Sequence, residues 1–218
     1  MKNIVIDFDS TICQLETLDE LAKNILADHE NKDELVEKIE KITRMGMEGE
    51  ISFSESLERR VSLLDIKKDK IHQTADKIKK HITLSFVKNI DFFRENKERV
   101  FVISGGFEDL IFSITDEAGI KRSHVLANRF IFEGDSFIGI DKDSLLSQDK
   151  GKVKQLRKMD FDDNVVMIGD GWSDYEPRKE GVAQSFITFT ENIRRKKVIK
   201  VADFIAEDFD QVIEYIKN

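Results

Sequence analysis

The chain of 218 residues is short of several things, and each shortage closes a class of function. It has one cysteine, Cys13, so no disulfide can form within it, and a reducing compartment fits. Close to two carboxylates though it is, Cys13 reads as a small packing residue. The four histidines, His29, His72, His81 and His124, share no metal-ligand spacing and read as structural or exposed. No apolar run reaches membrane-spanning length, and Met1-Lys2-Asn3 leads straight into a strand, so no signal peptide is expected. Positive charge is not in excess. The 35 Lys and Arg against 43 Asp and Glu leave a net charge of −8, which argues against non-specific binding to nucleic acid or to anionic membranes. The basic run Arg194-Arg195-Lys196-Lys197 reads as a solvated helix face. There is no internal repeat and no low-complexity segment. A soluble, cytoplasmic protein is the expectation; oligomeric state is not legible.

What is present suits a globular enzyme. The chain is 40% hydrophobic and 36% charged, and is long enough for one domain with a sizeable insert or for two small domains. One stretch organises it, Ile4-Val5-Ile6-Asp7-Phe8-Asp9-Ser10-Thr11. Its β-branched run predicts a buried parallel strand, and the crevice of an α/β fold opens where such a strand ends. Asp7 and Asp9 would stand there. Two close carboxylates raise each other's pKa unless a cation lies between them. A plain strand end with an Asx turn is the competing reading of this stretch alone.

From about Gln14 to Ser85 the period is helical. Thr17-Leu18-Asp19-Glu20 reads as a capping box opening a first helix, with Leu18, Leu21, Ala22, Ile25 and Leu26 in one stripe. A second helix starts near Asn31 and is broken at Met45-Gly46-Met47-Glu48-Gly49. Ser52-Phe53-Ser54-Glu55 opens a third, to about Leu64, and a fourth runs from about Asp69 to His81. These four helices predict a small bundle inserted after the first strand. Beyond it, helices and strands alternate. A helix carries Phe86, Ile90 and Phe93. Val100–Ile103 is a strand ending in a Ser104-Gly105-Gly106 turn before a helix that Gly119 closes. A hairpin surrounds Glu133-Gly134-Asp135. A helix opens at Gly151, and Asn164–Ile168 and Ser185–Phe189 are further core strands. Ala202–Ile205 is a short edge strand, and the last helix closes the chain. The predicted fold is α/β, a three-layer, Rossmann-like core with a mostly parallel sheet, made of residues 1–13 and 86–218, with residues 14–85 as a helical cap.

Three strand ends carry polar clusters: Asp7 and Asp9, Ser104-Gly105-Gly106, and Gly169-Asp170-Gly171-Trp172-Ser173-Asp174. A Ser-Gly-Gly turn offers a hydroxyl and bare amides to an anion. Clustered carboxylates without histidine suit Mg²⁺. A lysine is needed against phosphate charge. Lys150, just before Gly151, is the chosen candidate, with Lys152 and Lys154 as alternatives. Together these parts describe phosphoryl transfer. Asp7 attacks phosphorus, and Asp9 protonates the leaving oxygen and later deprotonates water. Ser104, Lys150 and Mg²⁺ steady the charge. A phosphate-accepting signalling domain also uses strand-end acids, a hydroxyl and a lysine. Asp9, two residues after the nucleophile, and the helical insert favour turnover instead.

The same residues carry a resemblance. Asp7-Phe8-Asp9-Ser10-Thr11, Ser104-Gly105-Gly106-Phe107, Lys150-Gly151 and Gly169-Asp170-Gly171 … Asp174 resemble the four ordered motifs of the haloacid dehalogenase superfamily of phosphatases. The similarity is greatest to its phosphoserine phosphatases and extends over nearly the whole chain, Ala127-Asn128-Arg129 and the insert included. It implies Mg²⁺ held by Asp7, the main-chain carbonyl of Asp9, and Asp170. It also implies that Glu16 holds a substrate ammonium and Arg60 its carboxylate, with Met47 and Phe53 as apolar neighbours. The implied reaction is hydrolysis of L-phosphoserine, or of another small phosphorylated metabolite. Arg60 has support of its own. At 100° per residue it shares a face with Phe53, Leu57 and Leu64, where an unpartnered guanidinium is costly. A carboxylate suits its fork, although a structural ion pair would satisfy it too. Ser173 keeps a hydroxyl for phosphate. Trp172 is bulkier than the pattern, a Pro-Gly element is absent from Ile82–Phe86, and Thr190-Glu191 replaces a glycine pair. Hinges for cap closure are expected near Cys13-Gln14 and Thr83–Ser85.

Overall fold

The computed structural model describes residues 2–161 and 164–218; Met1 of the leading Met1-Lys2-Asn3 lies outside the described residues. β1 (Asn3–Ile6) is buried along its whole length. It lies between the strands that become β2 (Val100–Phe107) and β6 (Val165–Gly169), with Ile4 opposite both Val100 and Val166. A strand with neighbours on both edges and helices on both faces has no polar side to show, hence its unbroken apolar run.

After β1 the chain forms a wide turn, closed by the Cys13 N–H on the Phe8 carbonyl at 2.9 Å. The helical insert follows: α1 (Thr17–Ile25), α2 (Lys32–Met47), α3 (Phe53–Val61) and α4 (Lys68–Ile78). Leu18, Leu21, Ile39, Leu57, Ile71 and Ile78 are buried at its centre, at the predicted helical spacing. The two crossings between insert and sheet lie side by side. Gln14 N–H donates to His81 O, Thr83 N–H donates to Ile12 O, and Cys13 pairs with Ile82. The expected hinge sites are therefore paired to each other as a short ladder.

α5 (Leu84–Lys88) and α6 (Ile90–Glu95) replace the single helix expected around Ile90, and the chain breaks at Asn89. Phe86 and Phe93 stack at 4.7 Å and both meet Phe209 at 5.3 Å. Rings so removed from water contribute roughly 1.5–3 kcal/mol each. β2 then runs through the glycines to Phe107, its register with the next strand shifting between Ile103 and Phe107. The Ser104-Gly105-Gly106 segment is thus an irregular strand end, where a turn was predicted, and α7 (Glu108–Glu117) starts only after it. β3 (Val125–Asn128) joins the sheet, and the predicted hairpin forms as β4 (Phe130–Glu133) and β5 (Ser136–Ile140). α8 (Gly151–Met159), β6, α9 (Trp172–Lys179), β7 (Ser185–Phe189), α10 (Lys196–Ile199), β8 (Phe204–Ala206) and α11 (Phe209–Lys217) complete the chain.

The main sheet has the order β3-β2-β1-β6-β7-β8, all parallel. Alternate residues feed two cores. Ile4, Ile6, Val102, Ile168 and Phe189 pack on one face, Val5, Phe101, Ile103, Met167 and Phe186 on the other. The strand order grows outward from β1 in both directions, first to β2 and β3, then to β6 and beyond. That makes the carboxyl ends of β1 and β6 the switch point where open α/β sheets bind ligands. Among the described residues, no helix is long and apolar enough to cross a membrane.

Candidate active site

Asp7 follows the last residue of β1 and donates its N–H to Ile168 O on β6. Asp170 follows the last residue of β6. Strand pairing alone thus puts these two carboxylates side by side, and Asp174, on the first turn of α9, closes a group of three. Their oxygens lie within 4.8 Å of one another. Gly171 N–H donates to Asp174 Oδ2 at 2.9 Å. In the turn after Asp7, Ser10 has a φ of 53°, a left-handed conformation that non-glycine residues adopt at a cost of roughly 1–2 kcal/mol. Its hydroxyl donates to Glu16 Oε1 at 2.8 Å. Strain of this kind gathers at functional sites.

The lysine at the site is Lys152, and this corrects the expectation for Lys150. Lys150 stands before α8 in a left-handed conformation, which turns its side chain outward; it is 55% exposed and pairs with Glu180 at 2.6 Å. Lys152 is 4% exposed, 2.7 Å from Asp7 Oδ1 and 2.5 Å from Asp174 Oδ1. It shares the inner face of α8 with buried Val153 and Leu156. A charge inside an apolar stripe was the signal that singled out Arg60, and it was there to be read for Lys152.

A second cation was missed altogether. Arg195 lies in the basic run read as solvated, yet it is buried. It precedes α10 in an extended conformation and turns inward. Its Nε donates to Asp170 Oδ2 at 2.7 Å and its Nη2 to Glu16 Oε1 at 3.0 Å. The capping box expected at Thr17 is also absent. Glu16 takes the cap position without a side-chain bond, Glu20 turns to Lys23 and Lys77, and the Thr17 hydroxyl donates to Asp9 Oδ2 at 3.1 Å.

Asp7, Asp9, Met47, Phe53, Arg60, Ser104, Gly105 and Ser173 line one cavity together with Lys152. Glu16 stands behind it through Ser10 and Arg195, and Lys150 is outside. The cavity measures ≈ 10 Å³, about the room one water needs. Phe53 crowds it, since a Cβ at Gly105 would run into the Phe53 ring. Phe53 and Ser173 also face a wider cleft of ≈ 480 Å³ between the insert and α9, with Trp172 and Lys150 on its walls. Trp172 faces outward from the inner cavity and packs on Gly49, whose φ of +69° turns the chain after α2. Ser104 Oγ accepts the Gly106 N–H at 3.0 Å. Arg60 donates to Ser56 O at 3.3 Å and to Thr43 Oγ1 at 3.2 Å, and lies 3.6 Å from Asp19 Oδ1. The structural ion pair that competed with a substrate role is thus present, and Arg60 lines the cavity as well.

The charge of the site is unbalanced. Five carboxyl groups (Asp7, Asp9, Glu16, Asp170 and Asp174) meet two bases, Lys152 and Arg195, so the acids outnumber the bases by three. Burial, then the charge of Asp174, pushes Asp7 up to about 8, against the pull of Lys152. Burial pushes Asp170 up to about 7, with Arg195 opposing and Glu16 adding to the rise. Asp9 is driven well above the usual carboxylate range by burial, then by Glu16 and Asp7, while Thr17 works against it. Burial would discharge Lys152, but Asp174 and Asp7 outweigh it and keep the ammonium charged. Asp9 Oδ1 and Glu16 Oε2 are buried without a hydrogen-bond partner, and Lys152 approaches Asp7 Oδ1 off the line of a good hydrogen bond. Raised carboxylates with bare oxygens and no histidine or thiolate among them fit a hard divalent cation.

Residues 4–176 match the family described as haloacid dehalogenase-like hydrolase. The phosphoserine phosphatase of Methanocaldococcus jannaschii is 31% identical over 228 residues, covering 99% of this chain and 98% of that protein. A phosphoserine phosphohydrolase-like protein from Francisella tularensis superposes with a TM-score of 0.89 at 29% identity, covering 99% of this chain and all of that one. A phospho-aspartyl intermediate analogue of phosphoserine phosphatase gives a TM-score of 0.78 at 27% identity, with 97% of each chain covered.

Proposed function

The chain belongs to the haloacid dehalogenase-like hydrolases, and we propose that within that family it is a Mg²⁺-dependent phosphatase whose substrate is L-phosphoserine. The observation that carries this reading is the company of Asp7. Its buried carboxylate stands beside Asp9, Asp170 and Lys152 at a strand-end crevice, and Arg60 reaches the same cavity from the insert. Residues 14–85 act as the cap, and the remainder as the catalytic core.

Asp7 attacks phosphorus and becomes an acyl phosphate. Asp9 gives its proton to the departing serine oxygen, then takes one from the water that hydrolyses the intermediate. Lys152 holds one equatorial oxygen by charge. Ser104, whose Oγ already accepts from Gly106, has its hydrogen free to donate to another. Mg²⁺ would be held by Asp7, Asp170 and the Asp9 carbonyl, and supplies charge neutralisation at the phosphoryl oxygens. Glu16 spends Oε1 on Ser10 and Arg195 and keeps Oε2 for the substrate ammonium. Arg60 takes the carboxylate. The ≈ 10 Å³ cavity has no room for phosphoserine, so the cap must lift at the Cys13–Ile82 crossing before substrate enters. The single buried thiol, Cys13, suits a reducing cytoplasm.

Phosphate release from a panel of small phosphomonoesters, with and without Mg²⁺, tests the assignment. Phosphoserine is expected to be turned over best, only with Mg²⁺, and not at all by a folded Asp7→Asn variant. A generic aryl phosphate turned over as well as phosphoserine would remove the serine assignment, and activity left in Asp7→Asn would remove Asp7 as nucleophile.

A further inference from the structure

Thr17 has no part in the reaction described so far, yet it touches the group that moves the proton. It is the first residue of α1 and fully buried. Its hydroxyl donates to Asp9 Oδ2 at 3.1 Å, while Asp9 Oδ1 has no partner and Asp9 lines the cavity. The hydroxyl lies close to Gly106, where a Cβ would come within 3.2 Å of Thr17 Oγ1. An oxygen that already accepts a hydrogen bond is the poorer place for a carboxylic proton, so the proton belongs on the other oxygen. Asp9 is also the one acid of the site with neither Lys152 nor Arg195 bonded to it. Among the described residues, Thr17 donates the one side-chain hydrogen bond that holds the rotation of this carboxyl group.

We propose that Thr17 is a positioning residue for Asp9, holding Oδ2 so that Oδ1 faces the cavity as the oxygen that exchanges the proton. This rests on Asp9 being the acid and base of the reaction. In the first step a bond forms from an Asp7 oxygen to phosphorus. The bond from phosphorus to the ester oxygen breaks, and the proton on Asp9 Oδ1 passes to that oxygen. In the second step a water oxygen bonds phosphorus, the bond to Asp7 breaks, and one water proton returns to Asp9 Oδ1. Thr17 belongs to the insert and Asp9 to the core. The hydrogen bond therefore exists only while α1 is seated as it is here, and the insert supplies part of the geometry of the core's acid.

A comparison of leaving groups tests this, because an alkyl ester needs its oxygen protonated on departure and p-nitrophenyl phosphate does not. Thr17→Val, Thr17→Ala, Thr17→Ser and Asp9→Asn are each assayed on p-nitrophenyl phosphate and on the alkyl phosphate the wild type turns over best, with circular dichroism to check the fold. General acid catalysis is worth about 10²–10⁴-fold. Thr17→Val and Thr17→Ala are therefore expected to lose at least about tenfold in kcat/KM, which reports the steps up to departure of the leaving group, on the alkyl ester and less than about threefold on the aryl ester. Thr17→Ser should be close to wild type. Asp9→Asn is expected to split the two esters further. Variants of Thr17 that slow both esters equally, beside an Asp9→Asn that splits them, overturn the role of Thr17 alone. An Asp9→Asn that does not split them overturns the reading of Asp9 beneath it.

Discussion

The two halves of the site are built on opposite charge balances. In the core, Asp7, Asp9, Asp170 and Asp174 outnumber Lys152 and Arg195, and Asp7 and Asp170 are pushed up by burial. In the insert, Arg60 is answered by Asp19, Thr43 and Ser56 before any ligand arrives. A buried charge that already has partners can be closed over at little cost, whereas an unpaired one cannot. The insert can therefore sit down on the core with a cavity of only ≈ 10 Å³ left between them, while the core keeps more acids than bases. The core half is specified by its surplus of acids, the insert half by what it can exchange.

The largest test of that contrast sets two neighbouring lysines against each other. Lys152→Ala removes the cation between Asp7 and Asp174 and is expected to lower kcat/KM by about 10³-fold, as loss of a transition-state charge partner does. Lys150→Ala should stay within about twofold of wild type, because an exposed pair such as Lys150–Glu180 is worth little. Steady-state kinetics on folded variants decide it, and an equal loss in both would break the distinction between the lysines. The insert half should answer differently. Arg60→Ala is expected to raise KM for phosphoserine about 30-fold, the worth of roughly 2 kcal/mol in charged hydrogen bonds. KM for p-nitrophenyl phosphate, which has no carboxylate on its leaving group side, should hardly move. If both constants rise together, Arg60 serves only its pair with Asp19.

What the sequence made legible follows from how local each signal was. β1 and β6 announce themselves as β-branched runs ending in acids, and α1, α3 and α4 by stripes such as Leu18, Leu21 and Ala22. Asp7, Asp9 and Asp170 were readable because each sits where a strand runs out. Arg195 was not, since its partners Asp170 and Glu16 are 25 and 179 residues away and its neighbours in sequence are exposed bases. Thr17 was misread for a similar reason. A Thr three residues before a Glu looks like a cap, and the acceptor that wins it, Asp9, belongs to a different element. Lys152 was within reach by the apolar-stripe argument and was lost to Lys150 by proximity to the helix start.

The smallest expected effect concerns stability, and it sharpens the same contrast. Asp7 is raised from 3.8 to about 8 and Asp170 from 3.8 to about 7 by folding, so in the metal-free protein the folded state binds more protons than the unfolded chain. Stability from these groups is fully present below the unfolded value and is lost as pH rises through about 7 and then about 8. Groups lowered by surface ion pairs, such as Asp116 and Asp203, act with the opposite sign but only near their ordinary acidic range. Thermal unfolding in a chelator is therefore expected to show Tm falling by about 5 °C or more from pH 5.5 to pH 8.5. Mg²⁺ held as proposed would bind the ionised carboxylates of the folded state, so adding it is expected to raise Tm most at the high end and flatten the slope. A metal-free Tm that climbed over this range would mean that the core acids are already balanced without a cation, and the two halves of the site would no longer differ.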